Sequence, residues 1–202
     1  SAAGQLEDGT LIQERPFVSP HHTVSVYAMT GGGAVPKPGM VTLAHRGVLF
    51  LDEMAEFKRQ TLDVLRQPME EGKIFLARSR GNFVYPADFM LLGATNPCPC
   101  GYYPDRNRCR CQDWEVRRYL ARLSGPLLDR MDLCCQIKQT PIRKLWEKRE
   151  ASYIDSDKNG SKWMREQVLE ARERQQMRCR GAATRENGRL SPGEILKYCP
   201  LG

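Results

Sequence analysis

No run of apolar residues in this 202-residue chain approaches the roughly 20 needed to span a bilayer, so a membrane helix is not expected. The opening residues, Ser1-Ala2-Ala3-Gly4-Gln5-Leu6-Glu7-Asp8, carry neither a basic segment nor an apolar one, and no export signal is read there. An initiator Met is missing too, which suggests a piece excised from a longer protein. The phosphate-cradling pattern G-x-x-x-x-G-K-[ST] occurs nowhere. A site that grips a nucleoside triphosphate is therefore not expected to be complete within these residues. Acidic groups are in deficit: 31 Lys and Arg face 24 Asp and Glu, a formal net charge of +7. That balance suits a polyanionic partner, whether nucleic acid, nucleotide or acidic protein.

Cysteine, by contrast, is plentiful. Eight in a chain without an export signal point away from disulfides and towards metal ligation or buried thiols in a cytoplasmic setting. With 41% hydrophobic and 27% charged residues, the chain is otherwise ordinary and long enough for one large domain or two small ones.

The chain is organised around Gly47-Val48-Leu49-Phe50-Leu51-Asp52-Glu53. Its apolar run suits a strand buried on both faces of a parallel sheet, which delivers Asp52 and Glu53 to the carboxyl edge. One reading is a nucleotide-hydrolysis site of the Walker B kind, with Asp52 holding Mg²⁺ and Glu53 deprotonating the attacking water. The other is a core strand ending in a solvated acidic turn. Phe89 to Thr95 is a second buried-strand candidate. Asn96 at its end is placed either to bond a phosphate or the attacking water, or simply to form an Asn-Pro turn with Pro97. Leu133-Cys134-Cys135-Gln136-Ile137 is a third strand candidate.

Between these runs the spacing is equally specific. Residues 23–29 read as a short helix or strand, and Gly31 to Gly39 as a flexible loop. Phe57, Thr61, Val64, Leu65 and Pro68 predict one amphipathic helix, stopped by Pro68 and Gly72. Residues 73–77 and 82–85 predict a hairpin whose tip carries Arg78 and Arg80, either a solvated turn or a contact to nucleic-acid phosphates. His21 and His22 lack a third ligand nearby, so packing or hydrogen bonding is expected of them rather than metal. Trp114, Tyr119, Leu120 and Leu123 predict a helix.

Cys98-Pro99-Cys100 and Cys109-Arg110-Cys111 form a C-x-C-x8-C-x-C array with turn residues between. Four thiolates so close suit a closed, structural Zn²⁺ site; the alternative is reduced or redox-paired thiols. Arg106, Arg108, Arg110, Arg117, Arg118 and Arg122 surround the array against Asp105, Asp113 and Glu115. From Pro141 the chain turns charged and helical. One helix is predicted over 161–178 with a Glu170–Arg174 pair, and another starts at Ser191-Pro192-Gly193-Glu194 with Ser as its cap.

Five runs together resemble the magnesium-chelatase-like AAA+ ATPases of the ComM/YifB type. They are Arg15 to Thr23, Gly47 to Glu53, Leu65 to Glu70, Ala94 to Tyr103 (Ala-Thr-Asn-Pro-Cys-Pro-Cys-Gly-Tyr-Tyr) and Ser124 to Asp132. The resemblance implies an α/β fold, an incomplete AAA+ core with parallel sheet, flanking helices and a hairpin insertion over 1–140, and a partial helical lid over 141–202. It implies Asp52-Glu53 as Walker B, Asn96 as sensor 1 and Arg130 as an arginine finger reaching a neighbouring subunit's γ-phosphate. It implies ATP and Mg²⁺ as cofactors, a homo-oligomeric ring, a hexamer, as the assembly, and DNA as the partner. The Walker A loop and the sensor 2 arginine are expected outside these residues, leaving the chain inactive by itself. The leading functional expectation is part of an ATP-driven ring motor acting on DNA in branch migration. The alternatives are a chelatase-type motor remodelling a protein partner for Mg insertion into porphyrin, and a zinc-containing nucleic-acid-binding module without hydrolysis.

Overall fold

The computed structural model describes residues 14–33, 35–78, 81–137, 160–182, 184 and 186–199, in two units, 1–135 and 136–202. Residue 140, the expected boundary, and the charged helix expected after Pro141 lie outside the described residues.

In the first unit β1 (Phe17–Val18), β4 (Val48–Leu51) and β7 (Met90–Gly93) form a parallel sheet in the order β1-β4-β7. This is the α/β core the sequence predicts, with the acidic strand at its centre. Register sorts the side chains. Val48 lies opposite Phe17 and Met90, and Phe50 opposite Leu92, so these five share one face; Leu49 and Leu51 point to the other. That second face carries the core. Leu49 and Leu51 are wholly buried, with Met29, Val41, Phe57, Leu62 and Leu65 around them. On the first face Phe17, Met90 and Leu92 are 64%, 67% and 51% exposed, and Phe50 stacks on Phe17 at 5.9 Å. β4 is thus buried on one side only, not on both faces as its unbroken apolar run predicts, because the described residues place no layer over the Phe17–Phe50 face.

Gly47 fixes how closely β1 and β4 start. A Cβ there would lie 1.9 Å from the Pro16 carbonyl oxygen, which accepts the Val48 N–H at 2.8 Å. The glycine-rich segment is better ordered than a flexible loop. After α1 (Val26–Thr30), β2 (Gly31–Gly32) pairs antiparallel with β3 (Lys37–Pro38), and the Tyr85 hydroxyl donates to the Pro36 carbonyl at 2.9 Å. Gly31 and Gly33 have φ of 92° and 109°, open to glycine and strained for other residues. α2 (Met40–Leu43) leads into β4.

The single helix expected after Glu53 is instead a 3₁₀ turn (Met54–Glu56) followed by α3 (Arg59–Asp63) and α4 (Arg66–Glu71). Pro68 does not stop a helix. It sits in the first turn of α4, where its missing N–H costs nothing. Gly72 ends α4 with φ 67°. β5 (Lys73–Arg78) and β6 (Gly81–Pro86) make the predicted hairpin. The tip residues Ser79 and Arg80, and the Arg78 side chain, lie outside the described residues. α5 (Asp113–Leu120) and α6 (Gly125–Leu128) complete the unit. Residues 133–137 form no strand: no described strand lies beside them, and Leu133 and Ile137 are 83% and 92% exposed.

In the second unit α7 spans Ser161–Arg178 as predicted, with the Glu170–Arg174 ion pair on its surface. α8 (Pro192–Tyr198) carries the predicted capping box between Ser191 and Glu194. Among the described residues of this unit, Cys179 and Leu190 are buried.

Candidate functional site

The carboxyl edge of the parallel sheet gathers the acidic pair and the asparagine. Leu51 lies opposite Gly93, so β4 and β7 end level and Asp52 and Ala94 leave them side by side. Two hydrogen bonds stitch the exits together: Ala94 N–H donates to the Leu51 carbonyl at 2.9 Å, and Met54 N–H to the Ala94 carbonyl at 2.8 Å. Asp52, Glu53 and, two residues beyond Ala94, Asn96 are all solvent-exposed.

Glu53 adopts left-handed backbone, φ 50° and ψ 46°, a conformation uncommon for a side chain of its length. Its N–H donates to Asp52 Oδ1 at 2.9 Å, and Oδ2 of Asp52 has no recorded partner among the described residues. Its carboxylate faces His22, with Oε2 3.5 Å from Nδ1. The His22 ring lies tilted against that of His21 at 4.1 Å and meets the Phe57 ring edge-on at 6.4 Å, while His21 Nδ1 bonds the Thr23 hydroxyl at 3.0 Å. The recorded contacts of the pair are thus ring packing, the His21 hydrogen bond to Thr23 and the approach of His22 to Glu53. Sequence reasoning missed that His22 faces Glu53. The signal that could have found it was positional: His22 follows β1, whose parallel neighbour delivers Glu53 to the same edge.

Arg130 keeps different company. Its guanidinium is ion-paired with Glu70 and donates to the Pro126 carbonyl, and its Nε is buried without a partner among the described residues. It lines a cleft of about 490 Å³ with Asp63, Arg66, Glu70 and Phe75.

The cysteine array follows Asn96 at once. The Sγ atoms of Cys98, Cys100, Cys109 and Cys111 all lie within 4.8 Å of one another. Cys98–Cys100, Cys100–Cys109 and Cys98–Cys109 are 3.4, 3.6 and 3.8 Å apart. Cys98 and Cys109 are buried against Val116 of α5, with Tyr103 and Cys111 packed around them. A hydrogen bond from the Tyr102 backbone holds the Cys100 thiol down at about 6. Burial pushes Cys109 up. A backbone hydrogen bond from Cys100 pulls Cys111 down, but burial and the adjacent sulfurs together outweigh it and push that thiol up to about 12. α5 runs on to the acidic loop. Tyr119 is buried, which raises its phenol against a smaller opposing pull from the Thr95 side chain. Arg122 reaches Glu56 at 2.7 Å and the Ala55 carbonyl at 3.1 Å.

A short parallel sheet with an acidic pair and an asparagine at its carboxyl edge defines an AAA+-like α/β core, and an incomplete one. Residues 1–145 match the family described as magnesium chelatase, subunit ChlI. A protein named YifB from Salmonella typhimurium is 48% identical over 189 residues, 94% of this chain and 35% of its own length. The competence protein ComM of Haemophilus influenzae is 42% identical over the same shares. The magnesium-chelatase 38 kDa subunit of Acidiphilium rubrum is 28% identical over 111 residues, 55% of this chain and 26% of its own. The chain belongs to the magnesium-chelatase-like family that includes ComM and YifB. It spans about a third of the length of the curated relatives it matches. No described helix is long and apolar enough to cross a membrane.

Proposed function

We propose that the chain is part of an ATP-driven ring motor acting on DNA, whose hydrolytic edge is Asp52, Glu53 and Asn96. The observation that carries this reading is the level ending of β4 and β7, which holds the three polar residues on one edge. Asp52, a hard oxygen donor exposed at the sheet edge, fits Mg²⁺, which would neutralise phosphate charge when bound. Glu53 takes the proton of the attacking water, and Asn96 orients that water or the γ-phosphate. Arg130 serves a neighbouring subunit's nucleotide, so hydrolysis waits for ring assembly, with a hexamer as the expected ring in the cytoplasm. Cys98, Cys100, Cys109 and Cys111 hold a structural Zn²⁺.

DNA as the substrate rests on the net charge of +7, on the basic hairpin tip with Arg78 and Arg80, and on the likeness to a competence protein. The likeness to a magnesium-chelatase subunit favours a second reading, a motor that remodels a protein partner. A salt titration of DNA binding by the full-length protein separates them. On the first reading affinity falls steeply with salt, and Arg78→Ala with Arg80→Ala lowers the log–log slope by about 0.7–0.9 for each phosphate left without its cation. Salt-insensitive binding, with ATPase indifferent to DNA, would overturn it in favour of the protein partner.

A further inference from the structure

Asn96 lies between two fixed points. On one side Ala94 is hydrogen-bonded to Leu51 and Met54, which flank the acidic pair; on the other Cys98 is wholly buried in the sulfur cluster. Only Thr95, Asn96 and Pro97 bridge them, and Pro97 further restricts the backbone of Asn96. A second strap runs in parallel. Val116 packs on Cys98 and Cys109, and the same helix leads to Arg122, which reaches Glu56 and the Ala55 carbonyl shortly after the acidic pair.

The cluster has the dimensions of a metal site. Zn–S bonds of about 2.3 Å in a tetrahedron set sulfur–sulfur edges of about 3.8 Å. Three of the edges, 3.4 to 3.8 Å, lie close to that figure and far from the roughly 2.05 Å of a disulfide. The segment also needs a crosslink. Residues 98–111 contain no helix or strand, and their apolar support is Val116, Tyr103 and the cysteines themselves. So small a core does not hold fourteen residues of irregular chain without a staple.

We infer that the four thiolates bind Zn²⁺ as the clamp that fixes Asn96 at the hydrolytic edge, so that the metal acts on turnover without touching nucleotide. The clamp deepens the motor reading and rests on it for its effect on hydrolysis. Four protein sulfurs close the coordination sphere, which leaves the metal a positioning role.

The test uses the full-length protein. Elemental analysis is expected to give one zinc per chain. Cobalt in its place is expected to show thiolate charge-transfer and tetrahedral d–d bands, which Cys111→Ser perturbs. Stripping the metal with a chelator is expected to lower kcat by about 10²-fold, the scale of a misplaced catalytic group, with nucleotide Kd unchanged and activity restored by Zn²⁺. Amide exchange over 95–103 rises while that of β4 stays. Asn96→Ala costs the same factor, and stripping that variant adds little, because both remove one interaction. A protein without bound metal overturns the inference, as do unchanged exchange and unchanged kcat on stripping. A zinc-loaded protein with no ATPase sinks the motor reading instead; the exchange comparison then decides by itself whether the metal holds the Asn96 segment.

Discussion

Glu53 is held in left-handed backbone that costs a non-glycine residue about 1–2 kcal/mol, and it spends its N–H on its own neighbour, Asp52. Strain of this kind persists where the surroundings fix it, here the Met54–Ala94 hydrogen bond directly after it. On the proposed chemistry, Glu53→Gln in the full-length protein lowers kcat by about 10²–10⁴-fold, the range for losing a general base, and leaves nucleotide binding in place. A fall in affinity to match would put Glu53 in binding instead. Gly47 makes a stability prediction at the same scale. Its missing Cβ would meet the Pro16 carbonyl carbon at 2.8 Å and its oxygen closer still, so Gly47→Ala destabilises by about 1–3 kcal/mol or more. Urea unfolding reads this as a lower midpoint with an unchanged slope.

Among the elements, the turn after α2 carries a pH dependence. His45 Nδ1 accepts the Asp88 N–H at 3.1 Å, and Arg46, with φ 62°, pairs with the Asp88 carboxylate at 3.1 Å. Burial, helped by the adjacent Arg46 charge and opposed by Asp88, holds the imidazole below its ordinary 6.5. As pH falls through 6.5 the unfolded chain takes up the proton first, so stability drops there and is recovered above it. Melting temperature should rise with pH across that window, and His45→Gln should flatten the slope.

What the sequence disclosed at this scale was local. The β5–β6 hairpin, α7 and the capped start of α8 follow from adjacent residues, and so their bounds were close to those observed. The break of the expected helix into α3 and α4, and the pairing of β2 with β3, depend on what packs beside them. Residues 133–137 had a strand's composition but found no described partner. At the site, the acidic pair, Asn96 and the cysteines were visible because each is a short motif. His22 against Glu53 and Glu70 against Arg130 were not, since register and tertiary packing, rather than spacing, bring them together.

For the whole molecule, the proposal divides one active site between subunits. A Glu53→Gln protein and an Arg130→Ala protein should each be inactive alone, with a fall of about 10³-fold or more for the missing finger. Mixed rings should regain activity, because some interfaces then join an intact Glu53 to an intact Arg130. Absence of recovery in rings shown to be mixed would place Arg130 in its own subunit's chemistry. The 202-residue chain by itself, which holds no G-x-x-x-x-G-K-[ST], should hydrolyse ATP negligibly.

The sheet face with Phe17, Met90 and Leu92 has a thermodynamic consequence. Apolar surface already wet in the folded chain cannot be newly hydrated when it unfolds. Covering this face, by a partner or by further chain, should therefore raise the heat-capacity increment of unfolding measured by calorimetry, by about 0.45 cal/mol/K for each Å² of apolar surface it buries.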